Sequence, residues 1–157
     1  MNSKGLNIAE CCHLVNILPP RDEDTVQTPE VFSMANHSHV SIIIQLGVTG
    51  AASTVTVLAC DNFTPSNTSA IAFSYYAEAT ASGDTLGART TVSSAGFATS
   101  TNDGVMYVIE IDAAELPAGY PNLELVFSDP GTATFISAVA ILSGARYGGD
   151  QSLTAIA

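Results

Sequence analysis

From Val31 onward, apolar residues recur at every second position along this chain. Val40, Ile42, Ile44 and Leu46 alternate with His39, Ser41, Ile43 and Gln45. Successive strand side chains point to opposite faces, so the first set marks a core-facing side. Gly47 and Gly50 then signal a turn. Val55, Val57 and Ala59 alternate with Thr54, Thr56 and Leu58 in a second strand that stops at Asp61-Asn62, before a loop of turn formers, Phe63-Thr64-Pro65-Ser66-Asn67. Ile71, Phe73, Tyr75 and Ala77 form a third face, followed by the Ser82-Gly83-Asp84 turn and a weaker strand near 90–93. Val105, Tyr107, Ile109 and Ile111 oppose Met106, Val108 and Glu110, and Leu123, Leu125 and Phe127 follow a loop punctuated by proline and glycine. The run from Thr134 to Leu142 is apolar on both sides, the pattern of a strand covered on both faces.

About eight short strands with turn signals between them, and no long helical pattern, predict an all-β fold: an antiparallel β-sandwich wired as a jelly roll, with an N-terminal arm. Buried positions are expected at Ile42, Ile44, Val55, Val57, Phe73, Tyr75, Ile109, Leu125, Phe127 and Val139. Residues 1–30 have a different texture. They hold Pro19-Pro20, the charged knot Arg21-Asp22-Glu23-Asp24 and Pro29 around one apolar stretch, Leu14-Val15-Asn16-Ile17-Leu18. They are expected to form an arm with one short strand at about 13–18 and, from Asn7 and Glu10, a helical turn near 8–12. The sandwich domain then spans 31–142, and 143–157 is a glycine-rich tail packed on the domain or on a neighbour.

Composition narrows the function classes. Charged residues make up 12% of the chain, about half of what soluble domains carry, so Ser, Thr, Asn, Gly and Ala must cover the surface. Four basic residues, Lys4, Arg21, Arg89 and Arg146, stand against fifteen acidic ones for a net charge of −11. That balance repels phosphate, and no nucleic-acid or anionic membrane partner is expected. Three cysteines, Cys11, Cys12 and Cys60, make an odd set without CxxC spacing and are expected as free thiols. Asn7, Glu10, His13 and Asn16 interrupt the stretch before Leu18 too often for a signal peptide, so the chain is expected to be made and used without export, and its three Asn-x-Ser/Thr sequons to be incidental.

Candidate chemistry is sparse. His37 and His39, two apart at the start of a strand, can converge on a metal with His13 or a carboxylate, but two histidines fall short of a four-ligand structural site, and a hydrated strand end is the better reading. Glu110 and Asp112 share a strand face about 7 Å apart, the spacing of paired glycosidase carboxylates. No Trp is present to stack a sugar, and Asp112 serves equally well to cap the turn at 113–116. Cys12-His13 are neighbours whose side chains diverge on a strand, and Asp22-Glu23-Asp24 lacks the spacing and glycine of a calcium loop. No nucleophile elbow, metalloprotease helix or phosphate loop is present, and neither catalysis nor a cofactor is expected.

Four segments carry a likeness: His39-Val-Ser-Ile-Ile-Ile-Gln-Leu-Gly-Val-Thr-Gly50; Ala70-Ile-Ala-Phe-Ser-Tyr-Tyr76 with Ser82-Gly-Asp84; Val108-Ile-Glu-Ile-Asp-Ala-Ala-Glu-Leu116 with Gly119-Tyr-Pro121; and Val139-Ala-Ile-Leu-Ser-Gly-Ala-Arg-Tyr147. Together they resemble the small structural proteins of tailed bacteriophages that decorate or cement the head. The resemblance implies a virion protein on the capsid exterior, made in host cytoplasm and associating with itself and with the major capsid protein; closed cyclic symmetry makes a trimer the expected arrangement. A head-fibre base or tail-associated virion protein is the near alternative, and a carbohydrate-binding β-sandwich the alternative from another class. Attachment is expected to use the ends: Leu14, Val15, Ile17 and Leu18 of the arm, and Tyr147, Leu153 and Ile156 of the tail, reaching sister subunits or the shell. A strand at 13–18 added to the chain's own sandwich is the competing expectation.

Overall fold

A computed structural model describes residues 5–146 and 154–156. Its elements, in chain order, are α1 (Ile8–Cys11), β1 (His13–Glu23), β2 (Phe32–Ser33), β3 (His37–Thr49), β4 (Thr54–Cys60), β5 (Thr68–Ala70), β6 (Phe73–Glu78), β7 (Thr90–Val92), β8 (Phe97–Ala98), β9 (Met106–Asp112), the 3₁₀ turn η1 (Ala113–Glu115), β10 (Asn122–Phe127) and β11 (Thr134–Ala145). They build two antiparallel sheets, one ordered β1-β11-β3-β9-β6-β7 and the other β2-β10-β4-β5, with β8 also pairing β4.

The wiring follows from four nested pairs. β1 pairs β11, β2 pairs β10, β3 pairs β9 and β4 pairs β8, so the chain is one long antiparallel hairpin whose limbs step from sheet to sheet. β11 also pairs β3 and β10 pairs β4, which wraps that hairpin into two layers. This is the jelly roll, with β6 and β7 extending one edge of the larger sheet.

The core lies between the sheets where the alternation placed it. Val40, Ile42 and Ile44 are fully buried, as are Val55, Val57, Ile109, Ile111, Leu123 and Leu125. Tyr75 stacks on Phe97 at 4.0 Å between ring centroids, with Tyr107 tilted against the same ring at 5.0 Å, and these rings plug the end of the sandwich near β6 and β9. Gly96 makes the approach to β8 possible. Its φ is +75°, and a Cβ there would collide with the Val55 carbonyl.

Three expectations are corrected. The segment from His13 is neither short nor an arm: β1 runs to Glu23 through both prolines and pairs β11 from His13↔Leu142 to Glu23↔Thr134, so residue 30 marks no boundary of the domain. Proline lacks only an N–H, and an edge strand needs its donors on one side alone. The register shifts between Val15 and Leu18 and again before Arg21, which lets the consecutive Ile17 and Leu18 both point inward. Val139 is not in the core. Ala138 and Ala140 take the inward positions of β11, and Val139 points out of the sandwich, partly exposed. The helical turn at α1 is present, closed by Glu10 N–H and Cys11 N–H donating to Asn7 O, but the Asn7 side chain makes no cap bond.

Candidate interaction surface

The outer face of the six-stranded sheet is built in rungs, each fixed by cross-strand register. One rung sets Val139 of β11 opposite Ile43 of β3, Ile43 opposite Val108 of β9, and Val108 opposite Tyr76 of β6. All four side chains are partly exposed. On one side of it runs Leu14–Ile141–Ser41–Glu110, and on the other Ser137–Gln45–Met106. Of the strongly exposed large apolar side chains among the described residues, Leu14 at 50%, Val48 at 64% and Phe135 at 48% belong to this sheet, and Leu86 at 44% rims it. The corresponding face of the smaller sheet is more polar, with Thr56 beside Val126 and Leu58 beside Glu124.

The same register joins two candidates that are far apart in sequence. His39 lies opposite Asp112, and Ser41 opposite Glu110. The His39 ring bridges both carboxylates, with Nδ1 2.7 Å from Asp112 Oδ1 and Nε2 2.7 Å from Glu110 Oε2, while the Ser41 hydroxyl donates to Glu110 Oε2 at 2.7 Å. Two carboxylate acceptors on the two ring nitrogens call for two N–H donors, the imidazolium. Burial works against that charge, but the hydrogen bonds and charges of Asp112 and Glu110 outweigh it and hold the His39 pKa above its usual range. The space between the carboxylates that a water or glycosidic oxygen would occupy holds the His39 ring. Ser41 is bonded to Glu110 rather than to an imidazole. Beside the cluster, Tyr76, Leu86 and Gly87 wall an open depression of about 550 Å³.

The remaining candidates separate. His37 points inward and is 6% exposed, its Nδ1 without a hydrogen-bond partner, while His39 points outward. His13 stacks on His37 with ring centroids 6.0 Å apart, and burial, then the neighbouring His13, lower the His37 pKa. Among the described residues, no group of three or more His, Cys, Asp and Glu side chains is arranged to hold a metal ion. Glu23 is bound by Arg21 and by Gln27 Nε2 at 2.7 Å, while Asp22 and Asp24 are exposed, so the acidic knot does not converge. The cysteines are free: Cys11 exposed, Cys12 partly exposed, and Cys60 buried beside Glu124.

The residues expected to reach outside the subunit divide. Val15, Ile17 and Leu18 are 5%, 1% and 2% exposed and belong to the subunit's own core, which corrects their assignment as attachment residues. Of the apolar residues in that stretch Leu14 alone points out, beside Ile141. Ile156 packs partly buried against its own core, next to Ala155, whose carbonyl accepts the Ser33 N–H at 2.8 Å, so it too is turned inward. Tyr147 and Leu153 lie outside the described residues. The partly exposed Val139, Ile43 and Val108 are hidden in runs apolar at every position. Their signal is the run itself, because a strand with one solvated face alternates. No helix is long and apolar enough to cross a membrane among the described residues. In comparisons with known proteins, no family model, no curated protein and no solved structure matches this chain.

Proposed function

We propose that this chain is a structural subunit of a bacteriophage virion, a decoration protein that stabilises the head by bridging subunits of the major capsid protein. The observation that carries the reading is an outer sheet face left apolar along the rung Val139–Ile43–Val108–Tyr76, on a sandwich that already has a complete core of its own, as in a subunit built to associate with sister copies within a shell. Apolar surface held at an outer face gains about 25 cal/mol for each Å² removed from water. One contact is modest, and a shell repeats it at every equivalent position. The low charge supports the same reading, since 12% charged residues leave few groups to desolvate on docking. The likeness of the four strand segments to head-decorating proteins is the support for a phage head as the shell, for self-association and for a site on the capsid exterior.

Co-sedimentation tests the reading. Full-length chain mixed with heads of its own phage should pellet with them to a fixed stoichiometry, and those heads should resist heat or chelation better than bare ones. Chain that remains in the supernatant at saturating concentration overturns it.

The depression beside His39 supports a second reading, glycan binding. A partly exposed Tyr76 ring beside the hydroxyl of Ser41 and the carboxylate of Glu110 offers a sugar one apolar face and two polar partners. Calorimetry against simple saccharides checks it, with Tyr76→Ala abolishing any heat.

A further inference from the structure

We propose that the open outer face of the six-stranded sheet is covered by a second copy of this chain. The inference deepens the assembly-subunit reading and rests on it for context, but its observations are separate.

The first is the pattern. β11 carries Phe135 to Leu142, a run whose outward residues Phe135, Val139 and Ile141 are apolar with Ser137 the exception, and β3 adds Ile43 between Ser41 and Gln45. Strands of that kind lie between two layers. Within one chain the inner face of each packs against the smaller sheet, while Ile43 and Val139 on the outer face stay partly exposed. One layer of the pattern is therefore supplied from outside the chain.

The second is size. The strands β1, β11, β3, β9 and β6, each at its own length of about 3.3 Å per residue and spaced about 4.8 Å apart, present about 780 Å² in projection. A stable protein pair needs about 800 Å² from each side, so one partner sheet of the same dimensions fits the face and leaves little over.

The third is charge, and it selects the partner. The chain carries −11, yet the two central rungs across β11, β3 and β9 hold no ionisable group. Charges on this face stand at its margins: the His39–Asp112–Glu110 cluster at one end, Arg21 and Asp22, the latter opposite Phe135, at the other, and on β6 Glu78, opposite Met106 but buried and bonded by the Thr80 and Thr85 N–H groups. A basic partner would be drawn to the acidic surfaces elsewhere on the molecule. Two copies that repel at long range can meet only across a surface that their charges leave free. Here that surface is apolar, with Ser137 and Gln45 available to bond with their own counterparts, so it suits a copy of itself.

Light scattering and sedimentation equilibrium on the full chain test the inference. A mass of two chains is expected at micromolar concentration, against 16.2 kDa for one, because a face that pairs with its own counterpart closes at two copies. Salt should strengthen the association severalfold by screening the repulsion between like-charged copies. Ile43→Glu, which places a carboxylate at the centre of the face, should return the mass to that of one chain while the circular dichroism spectrum stays that of a folded sandwich. Val108→Gln, a milder change on the same rung, keeps the test valid if Ile43→Glu fails to fold, and Leu58→Glu on the outer face of the smaller sheet should leave the mass unchanged. A wild-type chain that stays monomeric at every concentration and salt overturns the inference, as does association that survives in folded Ile43→Glu or Val108→Gln. A monomer that still pellets with phage heads removes the self-pairing and spares the decoration reading, whereas a self-associating chain that never pellets does the reverse.

Discussion

His39 and Asp112 face each other across the β3–β9 register, and the ring Nδ1 lies 2.7 Å from the carboxylate it bonds. With Glu110 on the other nitrogen, the ring is a charged crosslink between two central strands of the larger sheet. Its pKa is raised in the fold above the ordinary 6.5. The stabilisation is therefore complete below that ordinary value and is lost as the pH rises through the higher folded value.

Replacing His39 by Gln should accordingly cost about 1 kcal/mol in mildly acid solution and much less at pH values well above neutrality, the partial exposure of the cluster limiting the magnitude. Chemical denaturation of both proteins across that range checks the sign. An equal cost at all pH values would mean that the ring acts by packing alone.

His37 runs the other way. Its folded pKa is lowered, so the unfolded chain takes up a proton first and stability falls as the pH drops below 6.5 toward the folded value. His37→Leu, which removes the buried Nδ1 along with the charge, should flatten the acid side of the stability profile. The facing group from β1 is His13, and a His13→Gln control should relieve part of the same loss.

The placement of β1 is open to a paired substitution. Ile17→Ala should destabilise the subunit by about 2–5 kcal/mol, as truncation of a buried isoleucine does, while Leu14→Ala should stay within about 0.5 kcal/mol. Three residues separate a core position from a surface position on one strand.

Much of this fold is legible in the amino-acid pattern alone, and the exceptions have physical causes. Alternation locates β3, β4, β9 and β10, because each has one side in a single core and residues such as Val55 and Val57 have no second environment to satisfy. It fails at Pro19-Pro20, where composition signals a chain break and edge geometry tolerates the prolines. At Val139 it fails because a run without alternation does not say which parity faces inward. The His39 cluster is half legible. Both members of the pair Glu110 and Asp112 are visible at their spacing, but their meeting with His39 depends on the β3–β9 register, which alternation alone does not set.

Gly96→Ala should cost about 2–3 kcal/mol, because alanine is strained at positive φ and its methyl would meet the Val55 carbonyl. Gly131 has a similar φ of +68° with open space around it, so the same substitution there should cost less. The difference between the two melting temperatures isolates the collision from the backbone strain.

The thiols should titrate in two classes. Burial, reinforced by the charge of Glu124, pushes the Cys60 thiol up to about 12, so at mildly alkaline pH it should ignore a thiol reagent that modifies exposed Cys11 at once. Three thiols should react after denaturation. Fewer than three would mean that a disulfide forms in the isolated protein.

The nesting of the strands also governs when this molecule comes into being. During synthesis β1 leaves the ribosome first and must wait for β11, since His13 finds its partner only at Leu142. β11 then enters between β1 and β3, in the interior of the larger sheet rather than at its rim. Until that last strand arrives the outer face lacks Phe135, Val139 and Ile141 and the tie between β1 and β3, and such distant pairing folds slowly by comparison with local structure. A chain that stops short of β11 therefore leaves β1 unpaired and the apolar outer face incomplete, which makes synthesis of this one strand a checkpoint on the whole larger sheet.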